Sequence, residues 1–166
     1  MSRILSVVGI DPGPTTGLCF LDYQTGTLGI PPQPQVTLLQ VDGYAADAVL
    51  EAMLARWYGT ASPVDDRYAA VEKFVTGRSA GTKGPDAGVT RQLVMELTER
   101  LQLHGFPAKI RSAAEVKPWA TNKRLERAGI TCSGPTAMRH SLDAARHALF
   151  AAVKDAKMKD PLILDD

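Results

Sequence analysis

Residues 4–10 (ILSVVGI) are apolar apart from Ser6 and Gly9. A short run of that kind predicts a strand buried at the centre of a sheet. It ends in Asp11-Pro12-Gly13, a turn, so a carboxylate stands where the central strand leaves the sheet. Residues 17–23 (GLCFLDY) predict a second strand, Thr25-Gly26 a hairpin turn, and residues 28–30 the returning strand. The proline-rich stretch 31–35 reads as a loop, and residues 36–41 form or complete a third strand.

Helical spacing begins after that. Ala45, Val49, Ala52, Met53 and Arg56 predict a helix over 45–58, with Gly59 as its stop. Residues 68–71 form a short strand that delivers Glu72. The glycine-rich polar stretch 76–88 is expected to be a mobile loop. Val89, Leu93, Val94, Leu97 and Leu101 place a second helix over 89–103, and Ala108–Arg111 is a fifth strand. Ser112 to Glu115 has the pattern of a capping box, which starts a short helix. A last helix runs over 135–157 and is ended by Pro161. Hairpins first and crossover helices later describe an α/β chain: a five-stranded mixed sheet flanked by helices, in the element order of the ribonuclease-H-like fold. One domain over 1–158 and a short tail over 159–166 account for the chain, with no internal repeat.

Composition narrows the function. Apolar residues make up 45% and charged residues 22%, as in a globular domain. No apolar run reaches the ~18 residues of a membrane span. The opening MSRILSVVGID is too short and too soon acidic for a signal peptide, so a cytoplasmic location is expected. Cys19 and Cys132 have no metal-like spacing. The net charge of +1 argues mildly against a nucleic-acid binder. Its distribution argues the other way. Arg100, Lys109, Arg111, Lys117, Lys123, Arg124 and Arg127 are opposed locally only by Glu115 and Glu126. Such a patch suits phosphate contact, though a solvated mixed-charge face reads the same way.

Three acids fall at positions that can converge. Asp11 follows the first strand and Glu72 ends the fourth, so neighbouring strands bring both to one edge. In the last helix, Met138, Leu142, Ala145, Leu149, Ala152 and Val153 form an apolar stripe, while His140, Asp143 and His147 share another face. Converging hard oxygen ligands bind magnesium or manganese, and two such ions can activate water against a phosphodiester. Taken singly, an Asp after a strand is often a turn residue and an Asp on a helix a solvated one.

These residues also carry a resemblance. VVGIDPGPTTGLCFLD resembles the opening of RuvC-type Holliday junction resolvases, AAVEKF their fourth strand, and RHSLDAARHAL their last-helix motif. The likeness spans nearly the whole chain in element order and is similar to divergent forms carried by bacteriophages. It implies an endodeoxyribonuclease of branched DNA, with a two-metal Mg2+ or Mn2+ site and a homodimeric assembly. By position it implies metal-binding, catalytic roles for Asp11, Glu72, His140 and Asp143, with His140 standing where many members have Asp. It places Phe74 or Val75 near a base-stacking aromatic at the crossover, and Lys117 at a DNA-contacting lysine. Lys83 in the glycine-rich loop and Lys123 and Arg124 in the basic stretch are expected to hold DNA as well. His147 is assigned at most a supporting or phosphate-contacting role, and Trp119 a candidate base-stacking one. The family's glycine-rich segment after the lysine is replaced by PWATNKRLERAGI.

Three other readings remain open. GIDPGPTTG also resembles the phosphate loop of sugar kinase, actin and heat-shock ATPases, which need a second domain to close over the nucleotide. A non-catalytic branched-DNA binder and a general flap or replication-fork nuclease complete the set.

Overall fold

A computed structural model describes residues 3–25, 33–58, 64–74, 85–131 and 138–163 of the chain. The strands are β1 (Arg3–Asp11), β2 (Thr15–Thr25), β3 (Gln35–Asp42), β4 (Val64–Glu72) and β5 (Ala108–Arg111). They form one sheet in the order β3-β2-β1-β4-β5, so β1 is central as its apolar run predicts. β2 lies antiparallel to β1 and β3 antiparallel to β2, whereas β4 and β5 continue the sheet in parallel. The helices are α1 (Ala46–Tyr58), α2 (Pro85–Leu103), α3 (Ala113–Val116), α4 (Asn122–Arg127) and α5 (Arg139–Lys154). None of those described is long and apolar enough to cross a membrane.

Alternation along the strands sorts the core into two layers. Val8 and Ile10 of β1, Leu18 and Phe20 of β2, and Ala69 and Val71 of β4 pack with Leu50 and Leu54 of α1 and Leu93, Leu97 and Leu101 of α2. The residues between them, Leu5, Val7, Cys19, Leu21 and Ala70, pack with Ala144, Ala145, Ala148 and Leu149 of α5. Leu125, Ala128 and Ile130 close that layer from the far side of α5. Asp11 and Glu72 have the parity of Val7 and Ala70, so both acids belong to the α5 face.

Several elements differ from expectation. α2 begins at Pro85, so the last residues of the glycine-rich stretch are helical, with a proline at the first helical position, where its missing N–H costs nothing. Ala45 belongs to a single 3-10 turn, and among the described side chains of α1 the fully buried ones are Ala46, Leu50 and Leu54, one residue on from the expected stripe. The α4 helix was not anticipated; Thr121 caps it by accepting from the Arg124 N–H. α5 starts later than expected and is buried around most of its circumference, because the α3–α4 segment covers the side that the sheet does not. Residues 28–30, Gly59, Val75, Lys83, Cys132 and most of the glycine-rich stretch lie outside the described residues.

Candidate active site

The site grows from the sheet. Ile10 and Val71 are partners in the parallel β1–β4 ladder, so Asp11 and Glu72 are the next residues of their strands and emerge side by side. Both line a cleft with Pro12, Lys73, Phe74, Thr90 and Ala113. The N-terminal half of α5 lies over this edge. Its His140 donates from Nδ1 to Oδ2 of Asp11 at 2.7 Å, and its backbone N–H is accepted by the Gln40 side chain of β3 at 3.2 Å. Arg139 Nε stands 3.3 Å from His140 Nε2, which fits Nε2 as the nitrogen with the lone pair.

Asp143, one turn further, receives two cations. Lys117 Nζ approaches Oδ2 at 2.9 Å, and Arg146 Nη1 approaches Oδ1 at 2.7 Å. Lys117 also stands 3.8 Å from Glu72 Oε2. His147 Nε2 lies 3.0 Å from that same oxygen, and its side chain is fully buried.

Electrostatics show how closely the acids converge. Burial lifts the Asp11 carboxyl from 3.8 to about 6; the Glu72 charge adds to the rise, the hydrogen bond and charge of His140 oppose it, and Asp143 adds a smaller upward push. Lys117 shows the mirror image. Partial burial works against its charge, but the hydrogen bond to Asp143 and the charges of Glu72, Asp143 and Asp11 leave its pKa raised. Asp143 and Glu72 thus flank Lys117, Asp11 is near enough for its charge to act on the ammonium, and His140 joins the group through Asp11. Among the described residues, no three Asp, Glu, His or Cys side chains stand close enough to share one ion as they are.

The residues expected at DNA divide. Phe74 is half-buried at the cleft, with the Arg91 guanidinium 5.5 Å from its ring centre. Lys117 is among the acids, and Lys123 is exposed on α4. Arg124 is turned inward: it pairs with Asp160 at 2.9 Å, donates to the Trp119 carbonyl and lies over the Trp119 ring. Trp119 also meets Phe150 edge-on and Lys154 through its ring, so it is engaged within the domain. His147 cannot contact phosphate from its buried position, which corrects that part of its expected role. Sequence reasoning missed Arg146, whose i+3 spacing from Asp143 was the available signal. Arg146 also bonds the Ala120 carbonyl and Asn122, tying the segment before α4 to the site.

No protein-family model and no curated protein sequence matches the chain. Solved structures do. A structure of Thermus thermophilus RuvC in complex with Holliday junction substrate aligns with a TM-score of 0.60 at 18% identity, covering 94% of this chain and 97% of that one. A second T. thermophilus RuvC structure aligns with a TM-score of 0.55 at 19% identity, covering 95% of this chain and all of the other. The five-stranded mixed sheet with its flanking helices is therefore the ribonuclease-H-like fold, in the form found in RuvC.

Proposed function

We propose that the chain is a metal-dependent endonuclease of branched DNA, with four-way junctions as its main substrate. The observation that carries this reading is the gathering of Asp11, Glu72 and Asp143, with His140, at the exit of two parallel strands. The likeness to RuvC, whose solved complex holds a Holliday junction, supports the choice of substrate.

The donor set fits a hard divalent cation. The Glu72 and Asp143 charges push the Asp11 carboxyl up, a conflict that a positive charge among them would relieve, and three acids plus an imidazole suit magnesium or manganese. Asp11, Glu72, Asp143 and His140 would hold such ions. When bound, they supply Lewis-acid activation of the attacking water and of the leaving oxygen, giving 5′-phosphate and 3′-hydroxyl ends. The chain's residues do the rest. Arg146 fixes the orientation of Asp143, and Asp11 accepts from Nδ1 of His140, so the Nε2 lone pair, which now accepts from Arg139, is the one His140 would offer an ion. Lys117 stands where its ammonium can pass from the acids to a DNA phosphate. Phe74 borders the cleft as a platform for a base at the crossover. Resolution needs opposed cuts on two strands, so we assign a two-fold homodimer, with the exposed Met95 and Leu103 of α2 at the interface.

Synthetic four-way junctions, flaps, forks and plain duplex should be compared under magnesium and under manganese. Paired, symmetric cuts in the junction, at least as fast with manganese because of His140, are the expected result. Preferential flap or fork cutting would favour a general fork nuclease, and junction binding without cleavage in either metal would leave a binding protein.

Lys117→Ala supplies a second test. With calcium present, the variant should bind every branched substrate more weakly, and its log affinity should fall with log salt by about one unit less steeply. An unchanged slope would show that Lys117 serves only the acids.

A further inference from the structure

The α5 helix spends one of its innermost positions on an imidazole. Where it meets the sheet it is built from small residues: Ala144, Ala145, Ala148, Ala151 and Ala152 are all buried. His147 lies among them with no exposed surface, although a leucine or methionine would fill the space without desolvating a polar ring. Among the described residues its one hydrogen-bond partner is Glu72. Nε2 lies 3.0 Å from Glu72 Oε2, and a carboxylate only accepts, so Nε2 carries the hydrogen. Nδ1 is buried and has no partner among the described residues. A ring that leaves one nitrogen unpaired and gives the other to an acid at the cleft is there for that acid.

Glu72 needs such help. Its side chain has three rotatable bonds, and although β5 still pairs its backbone through Arg111, the β1 side of the ladder has ended at Val71, so the strands hold the main chain and not the carboxylate. Both of its described contacts, with His147 and with Lys117 at 3.8 Å, fall on Oε2. Oε1 has no partner among the described residues. His147 is also one helical turn from Asp143 and two from His140, so one rigid element carries two of the site's donors and the group that holds a third.

We propose that His147 is a positioning residue that fixes the Glu72 carboxylate from behind, through Nε2–H and Oε2, so that Oε1 is presented to a divalent cation. This rests on the reading of Glu72 as a metal ligand. A ligand held in one rotamer loses less freedom on binding, and removing such outer partners typically costs about 10–100-fold in metal affinity.

The test uses the full chain without DNA and reads manganese affinity from the free-ion signal in electron paramagnetic resonance. Glutamine can place its amide N–H near the position of Nε2, whereas asparagine reaches only as far as Nδ1. His147→Gln should therefore stay within about threefold of wild type, while His147→Asn and His147→Leu weaken manganese binding by about tenfold or more. Junction binding in EDTA should be the same in all three, which separates the effect from misfolding. If Gln and Asn behave alike, or all variants bind manganese as wild type does, His147 is packing and the proposal falls. Glu72→Gln distinguishes the deeper failure. Loss of manganese there with no loss in the His147 series overturns the positioning role alone, and wild-type binding in Glu72→Gln overturns the ligand reading together with it.

Discussion

Asp11→Asn should abolish junction cleavage and, in the metal-free protein at neutral pH, raise the melting temperature. Asp11 is 12% exposed at its side chain and ionises at about 6 rather than 3.8. Burial is the first cause and the Glu72 charge the second, only partly relieved by His140. The sign follows from linkage. The folded state binds this proton more tightly than the unfolded chain, so the protonated carboxyl contributes stability at low pH that is lost as pH rises through about 6. Above that, the charged Asp11 opposes folding by roughly 3 kcal/mol at most. Asparagine keeps the shape, and its carbonyl can still accept from His140, but it carries no charge. Unfolding in EDTA at pH 7.5 should occur about 2–8 °C higher in the variant. The gain should shrink at pH 5, where wild-type Asp11 is already largely protonated. Cleavage should fall by about three orders of magnitude or more, since several kcal/mol of transition-state stabilisation go with a lost metal ligand. Wild-type cleavage would remove Asp11 from the chemistry; an unchanged melting temperature at both pH values would remove the electrostatic conflict.

How the site reads from sequence depends on which interactions are local. The β1 strand and its exit at Asp11 were readable because a buried central strand is a continuous apolar run ending in a turn, and Ala108–Arg111 agrees residue for residue. The shared edge of Asp11 and Glu72 followed once β1 and β4 were taken as neighbours. What covers α5 was not readable. An amphipathic stripe presumes one buried side, whereas α5 is enclosed by the sheet and by Val116, Ala120 and Leu125 opposite, so His147 is inside rather than on a polar face. The α4 helix, NKRLER, has a single buried apolar residue and so no periodicity to find. Charge counting had the same weakness. Arg124 is engaged by Asp160 and Trp119, and Lys117 by Glu72 and Asp143, both partnerships set by tertiary packing. From composition alone, a cation that completes an internal ion pair cannot be told from one held out for phosphate.

Gly17→Ala should cost more than any surface change in the chain, and it should cost activity beyond its cost in stability. Gly17 faces Asp11 across the β1–β2 ladder, and a Cβ there would overlap the carbonyl of His140 and stand 2.7 Å from the Ser141 nitrogen. Gly9, on the neighbouring strand and the same face, would meet the Ala148 nitrogen at 2.6 Å and also overlap the Ala144 carbonyl. The two glycines therefore form the seat on which the α5 backbone rests against the sheet backbone. In both cases the obstacle is main chain rather than a flexible side-chain end, so α5 itself must move. Forcing such a shift in a packed core costs about 3 kcal/mol, equivalent to roughly 6–12 °C in melting temperature for a domain of this size. The two positions then diverge. Gly9 seats the middle of α5, so Gly9→Ala should act mainly on stability. Gly17 seats the turn that carries His140, whose Nδ1 is 2.7 Å from Asp11. Displacing that turn opens the donor set, and a misplacement of about 1 Å in a catalytic group can cost on the order of a hundredfold in rate. Cleavage at a temperature where both variants are folded, set beside their melting curves, should show the larger rate loss in Gly17→Ala. Wild-type melting temperatures for both variants would show that α5 has no such seat, and equal rate losses at equal stability would show that Gly17 has no particular hold on the site.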